Sequence, residues 1–81
     1  MSTLLKQFNA IEKMKLFEIE IESEFYLYDI EANEKGLFCS SYKSGALSVD
    51  WDAVFSLDEH LGVLYELCLY DAHAQYFEDI K

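Results

Sequence analysis

The sequence contains no arginine and no proline, and its 16 acidic residues outnumber six lysines, for a formal net charge of −10 at pH 7. Arginine is the usual residue for bidentate contacts to phosphates and bases. Because nucleic-acid binding also needs basic groups that displace counterions, this charge argues against direct binding to nucleic acid and against docking on anionic lipid. The negative charge favours a basic partner. The alternative is that the charge serves only to keep a small protein in solution.

Cysteine, histidine and glycine are also scarce. Cys39 and Cys68 are too few for the disulfide framework of a small secreted domain, so we expect two buried free thiols. His60 and His73 are too far apart along one predicted helix to chelate a metal together. The three glycines are scattered singly, which excludes a phosphate-binding loop. We therefore predict a protein that is not an enzyme and that uses no metal or other cofactor.

The chain also lacks long apolar runs. No segment approaches the roughly 20 apolar residues of a membrane span, and no apolar stretch behind a basic region marks a signal peptide. We expect a cytoplasmic protein, either in its own cell or in a phage host. Its 81 residues predict a single domain, 1–81, with a small core, and a composition that is 52% hydrophobic is rich enough to fold.

Periodicity predicts an α+β fold: a short N-terminal helix, a three- to four-stranded antiparallel meander sheet, and a long C-terminal helix packed on one sheet face. Leu4, Phe8 and Ile11 mark the first helix. Ser56 and Glu59 form a capping box at the start of the long one. The extended runs are 17–22, 25–30, 37–42 and 46–55. A tight turn near residue 23 is favoured over one bent strand, and a one-turn helix after residue 50 is the weaker alternative for the last run.

The stretch FEIEIESEF, residues 17–25, alternates apolar and acidic side chains. Phe17, Ile19 and Ile21 are the predicted core face, and the glutamates between them are spaced by roughly 6.5–7 Å along a strand. In a meander, carboxylates from several strands would gather on the open sheet face, where they would bind a basic partner. The alternative is a set of carboxylates that fan out into water. The candidate partner-binding residues are Glu18, Glu20, Glu22, Glu24, Asp29, Glu31, Asp50 and Asp52.

The long helix is apolar nearly all round. One stripe, Leu57, Leu61, Leu64, Cys68 and Ala72, is predicted to pack on the sheet. A second stripe needs another cover, which is either the N-terminal helix or a partner, because large exposed apolar patches are unusual on monomers. This second stripe is the candidate second interface, with a second copy of the chain or with another partner, and it consists of Val63, Leu67, Tyr70, Ala74 and Phe77.

In size, charge and layout the whole chain resembles the DNA-mimic and anti-CRISPR proteins of phages and mobile elements. The resemblance is one of type and rests on no motif, so it assigns no functional residue. It implies a small acidic inhibitor that occupies the basic, nucleic-acid-binding surface of a target protein, with carboxylates in place of phosphates. Two alternatives stay open. One is an immunity protein that neutralises a basic nuclease toxin, and the other is an oligomeric structural or adaptor module.

Overall fold

The computed structural model describes residues 16–41 and 45–80. Within these ranges the chain forms an antiparallel sheet in the order β1-β2-β3-β4, with a long helix across one face. The elements are β1 (Leu16–Ile21), β2 (Glu24–Asn33), β3 (Gly36–Ser41), β4 (Gly45–Asp50), a 3-10 turn (Trp51–Ala53) and α1 (Leu57–Asp79). The predicted α+β meander and C-terminal helix are confirmed. The predicted N-terminal helix lies outside the described residues.

A two-residue turn joins β1 to β2. Glu22 and Ser23 have φ angles of 50° and 70°, the left-handed region that suits the right-handed twist of a tight hairpin. The prediction of a turn rather than one bent strand is confirmed. Because a two-residue turn reverses the chain here, the odd-numbered residues of β1 lie on the same sheet face as the even-numbered residues of β2.

The core lies between the sheet and α1. Ile19 is buried and its neighbours Phe17 and Ile21 are half-buried on the same side, as their alternation predicts. The ring of Phe17 meets that of Tyr65 on α1 edge-on, with 5.3 Å between centroids. The predicted packing stripe of the helix is also confirmed. Its buried members are Leu57, Leu61, Leu64, Cys68 and Ala72.

The last strand is shorter than predicted. It ends at Asp50, and the one-turn helix that was the weaker alternative begins at Trp51. The buried indole needs an acceptor for its N–H, and Trp51 Nε1 donates to the carbonyl oxygen of Asn33 at 2.8 Å. Its backbone N–H donates to the carbonyl oxygen of Lys35 at 3.2 Å. These bonds draw the chain out of the strand, so Phe55, which falls within the predicted extended run 46–55, lies outside β4 and is 96% exposed.

The start of α1 is fixed by side-chain bonds. Glu59 N donates to Ser56 Oγ at 3.1 Å, as the capping box predicts, and the carboxylate of Glu59 accepts from the N–H of Phe55 rather than that of Ser56. His60 is fully buried against Trp51, with 4.6 Å between ring centroids. Its Nδ1 lies 2.7 Å from the carbonyl oxygen of Ser56 and its Nε2 lies 3.0 Å from that of Asp50. The imidazole therefore joins the end of β4 to the helix.

Candidate interaction surface

The sheet face opposite α1 is the candidate site, and we call it the open face. Side chains alternate between the two faces along each strand, so the register assigns every residue to one of them. Antiparallel sheets often leave one face in water, and all but one of the side chains on this face are exposed, Phe38 being half-buried. The side chains of the open face are those of Leu16, Glu18, Glu20, Phe25, Leu27, Asp29, Glu31, Asn33, Phe38, Ser40, Ala46, Ser48 and Asp50.

Five of the eight predicted partner-binding carboxylates share the open face, and each is exposed. Of the described residues, Lys35 alone is a lysine, and it lies in the turn between β2 and β3. The open face therefore carries a negative potential, with no cation among the residues that form it. The five carboxylates are Glu18, Glu20, Asp29, Glu31 and Asp50.

The other three predicted carboxylates lie elsewhere. Glu22 is in the β1–β2 turn. Glu24 pairs with Ile21 and so projects from the helix-covered side of the sheet, at a cleft that Gln75 and Asp79 of α1 also line. Asp52 lies in the 3-10 turn after β4. They are displaced because the chain reverses at residues 22–23 and leaves the strand at residue 50.

Carboxylates and apolar side chains alternate across the strands of the open face. Glu18 lies opposite Leu27, and Glu20 lies opposite Phe25. Asp29 lies between Leu16 and a serine, and Glu31 lies opposite Phe38. Residues directly opposite are about 4.5–5.5 Å apart at Cβ, whereas diagonal neighbours are about 7–8 Å apart. Like charges on β1 and β2 are therefore diagonal neighbours, which reduces their repulsion.

The apolar half of this pattern was not part of the sequence-based site. Leu16, Phe25 and Leu27 are 49%, 59% and 50% exposed, although each is large enough to belong to a core. The signal was present, because β2 has large apolar residues on both parities: Tyr26 and Tyr28 face α1, and their neighbours face outward. A strand that is apolar on both faces needs a second cover or a partner.

The second predicted interface lies on the outer side of α1. Val63, Tyr70 and Phe77 are exposed, the last two by 76% and 59%, and Leu67 is half-buried against the core. Ala74 is exposed as well. The described residues therefore leave most of this stripe uncovered, on the opposite side of the molecule from the open face.

A polar cluster lies between the sheet and the C-terminal half of α1. The hydroxyl of Tyr28 donates to Asp71 Oδ2 at 2.6 Å. Gln75 Nε2 donates to the same carboxylate oxygen at 2.7 Å and to the Tyr28 oxygen at 3.1 Å. Burial, and then the bond to Asp71, raise the pKa of Tyr28 well above its ordinary value, so this phenol stays protonated. The cluster therefore joins the helix to the sheet through hydrogen bonds.

Among the described residues, no three histidine, cysteine, aspartate or glutamate side chains are grouped as metal ligands. In the same ranges, no helix has the length and apolar character needed to cross a membrane. Comparison with protein-family models, with curated proteins and with solved structures finds no significant match to this chain.

Proposed function

We propose that this protein is a small inhibitor that uses the open face to bind and block the basic, nucleic-acid-binding surface of another protein. The observation that carries the proposal is the alternation of exposed carboxylates with exposed apolar side chains, without a lysine among them. A face that served solubility alone would not need Phe25 and Leu27 beside its glutamates.

The chemistry of the pattern favours a protein partner. Lysine and arginine have long apolar stems and a charged head. Such a side chain can lie across Phe25 or Leu27 and still reach Glu18 or Glu20, and an arginine over the Phe25 ring gains a cation–π contact. Charge-assisted hydrogen bonds between carboxylates and basic side chains are stronger than neutral ones. A surface that normally binds phosphates offers these basic groups.

Inhibition requires no chemistry from the protein itself. By occupying the lysine and arginine side chains of its target, the open face would exclude nucleic acid from the same surface. Opposite net charges would also accelerate the encounter of the two proteins at low salt. The target would be a nucleic-acid-handling enzyme or complex, as in phage antidefence, or a basic nuclease toxin, in which case the protein is an immunity protein.

The test is a charge reversal with a matched control. The open-face variant carries Glu18→Lys, Glu20→Lys and Glu31→Lys, and the control carries Glu34→Lys, Glu66→Lys and Glu78→Lys. All six residues are exposed, and three reversals change the formal charge of either variant from −10 to −4. Each immobilised protein is incubated with lysate of its natural host, and the captured proteins are quantified by mass spectrometry.

We expect the wild type and the control to capture the same basic nucleic-acid-binding protein, which added double-stranded DNA or RNA displaces. The open-face variant should lose at least 90% of this capture, because it presents positive charge to a positive surface. Equal capture by the two variants would contradict the proposal. Loss in the control alone would place the partner on α1 or at the β2–β3 turn instead.

One observation supports a second candidate. The exposed Tyr70 and Phe77 on α1 are the kind of aromatic side chains that anchor interfaces, so an oligomeric adaptor module is the alternative. Such a module would form a homodimer whose mass, measured by light scattering, does not change with salt. It would also lose this dimer in the variant Tyr70→Ser/Phe77→Ser.

A further inference from the structure

Two thiols meet in the centre of the core. Cys39 lies on β3 and Cys68 lies on α1, and their sulfur atoms are 3.1 Å apart, linked by a thiol–thiol hydrogen bond. Both residues are completely buried and both are free. The alternation of β3 and the packing stripe of α1 each place one cysteine inward, and the close approach follows from how the helix lies on the sheet.

The two sulfurs have different acidities. Donating its proton to Cys68 in this hydrogen bond raises the pKa of the Cys39 thiol far above its ordinary value, and burial adds to this increase. The same bond lowers the pKa of Cys68, against the opposing effects of burial and of Asp71. Cys68 is therefore the thiol that ionises first, while Cys39 keeps its proton and donates it to the Cys68 thiolate. The thiolate is the nucleophilic form of cysteine, and a sulfenic acid formed on it condenses with a neighbouring thiol to give a disulfide.

We propose that Cys39 and Cys68 form a reversible internal disulfide when the protein meets a peroxide. The Cys68 thiolate attacks one oxygen of hydrogen peroxide, so an S–O bond forms, the O–O bond breaks and hydroxide leaves. Cys39 sulfur then attacks Cys68 sulfur, an S–S bond forms, the S–O bond breaks, and the Cys39 proton accompanies the leaving hydroxide as water. Overall, two thiols lose two electrons and two protons, and one peroxide becomes two waters.

The geometry supports this step over further oxidation of one cysteine. A disulfide has an S–S bond of about 2.05 Å, so the sulfurs need to approach by only about 1 Å. A sulfenic acid formed at Cys68 would already have the Cys39 sulfur beside it, since the two sulfur atoms are only 3.1 Å apart, whereas further oxidation would need a second peroxide to enter the core. The new bond would tie the middle of α1 to a central strand, on the side of the sheet away from the open face.

The test uses the full chain, reduced and then treated with hydrogen peroxide under native conditions. We expect intact-mass spectrometry to show the loss of two hydrogen atoms, with peptides containing Cys39 and Cys68 linked, and dithiothreitol to restore the original mass. The melting temperature of the oxidised protein should rise by roughly 10 °C, because the cross-link constrains the unfolded chain.

The variants Cys39→Ser and Cys68→Ser serve as controls and should show no loss of hydrogen. The proposal is overturned if the wild type gains only the mass of oxygen atoms, forms disulfides only between chains, or reacts only after it is unfolded by urea. Each of these results is read on the wild-type protein, so the test stands even if a serine variant folds poorly. Binding through the open face should be the same in the reduced and oxidised forms, which separates this test from that of the proposed inhibitor.

Discussion

At Tyr28, one hydroxyl group connects the sheet to the helix. It donates to Asp71 and accepts from Gln75, and the tyrosine itself is fully buried. Removing the hydroxyl takes one hydrogen bond from Asp71 and one from Gln75, which stay bonded to each other, and losing bonds of this kind costs about 1–3 kcal/mol. We expect Tyr28→Phe to lower the free energy of unfolding by this amount, measured by urea denaturation near pH 8. The control Tyr70→Phe, at an exposed ring, should change it by less than about 0.5 kcal/mol.

The same hydroxyl predicts a pH dependence. Because the folded state raises the pKa of Tyr28, the phenol ionises more easily in the unfolded chain, where its pKa is about 10. The stability that it contributes is complete below this pH and falls as the pH rises above it, by about 1.4 kcal/mol per pH unit. The difference in unfolding free energy between wild type and Tyr28→Phe should therefore shrink between pH 10 and pH 11. A difference that stays constant would mean that Tyr28 ionises alike in both states.

Within the secondary-structure elements, two glycines differ in whether the surrounding structure has room for a side chain. Gly36 begins β3 with a φ of 154°, and a Cβ built there would lie 2.0 Å from the backbone oxygen of Val49. Gly62 lies within α1, and a Cβ there would meet nothing within 4 Å. We expect Gly36→Ala to destabilise the protein by about 3 kcal/mol or more, since strands β3 and β4 must separate. Gly62→Ala should stabilise it by roughly 0.5–1 kcal/mol, because alanine is the better helix former.

Both variants are measured by thermal and urea denaturation, with circular dichroism to check that the fold is kept. A shift of the same sign in both would contradict the assignment of these two positions. The contrast is informative because the chemical change is identical and only the backbone environment differs.

Element types were predictable from the sequence where one local pattern determined them. The Ser56 cap, the packing stripe of α1 and the alternation of β1 each come from a short, regular pattern. The end of β4 was not predictable in this way, because Trp51 leaves the strand to reach acceptors at the β2–β3 turn. The position of Trp51 depends on a contact between segments that are distant in sequence, and the alternation of residues within one strand cannot reveal such a contact.

The candidate site was predictable from the sequence only where it depends on the alternation within a single strand. Parity within one strand placed Glu18 and Glu20 together, but the left-handed turn at residues 22–23 moved Glu22 and Glu24 off the open face. The opposition of each glutamate to Leu27 or Phe25 depends on register, which the turn sets. The contact between the two cysteines depends in turn on how α1 crosses the sheet.

For the whole molecule, a charge of −10 on 81 residues should affect folding and binding in opposite directions. Self-repulsion destabilises the compact state, and salt screens it over about 10 Å at 0.1 M ionic strength. We therefore expect the melting temperature to rise with sodium chloride between about 0.02 and 0.5 M. Attraction to a basic partner is screened by the same salt, so its affinity should fall over the same range.

The two triple variants separate these effects. Both carry a charge of −4, so self-repulsion across the molecule is reduced equally. The melting temperature of each variant should therefore rise less with salt than that of the wild type, and by the same amount in both variants. Their binding should differ, because only one of them changes the open face. If the open-face variant instead loses much more of the salt response of folding than the control, the repulsion is concentrated among Glu18, Glu20 and Glu31. In that case the alternation with apolar residues does not relieve the repulsion among these carboxylates. A basic partner would then stabilise the open face by neutralising it, in addition to being the protein that the open face inhibits.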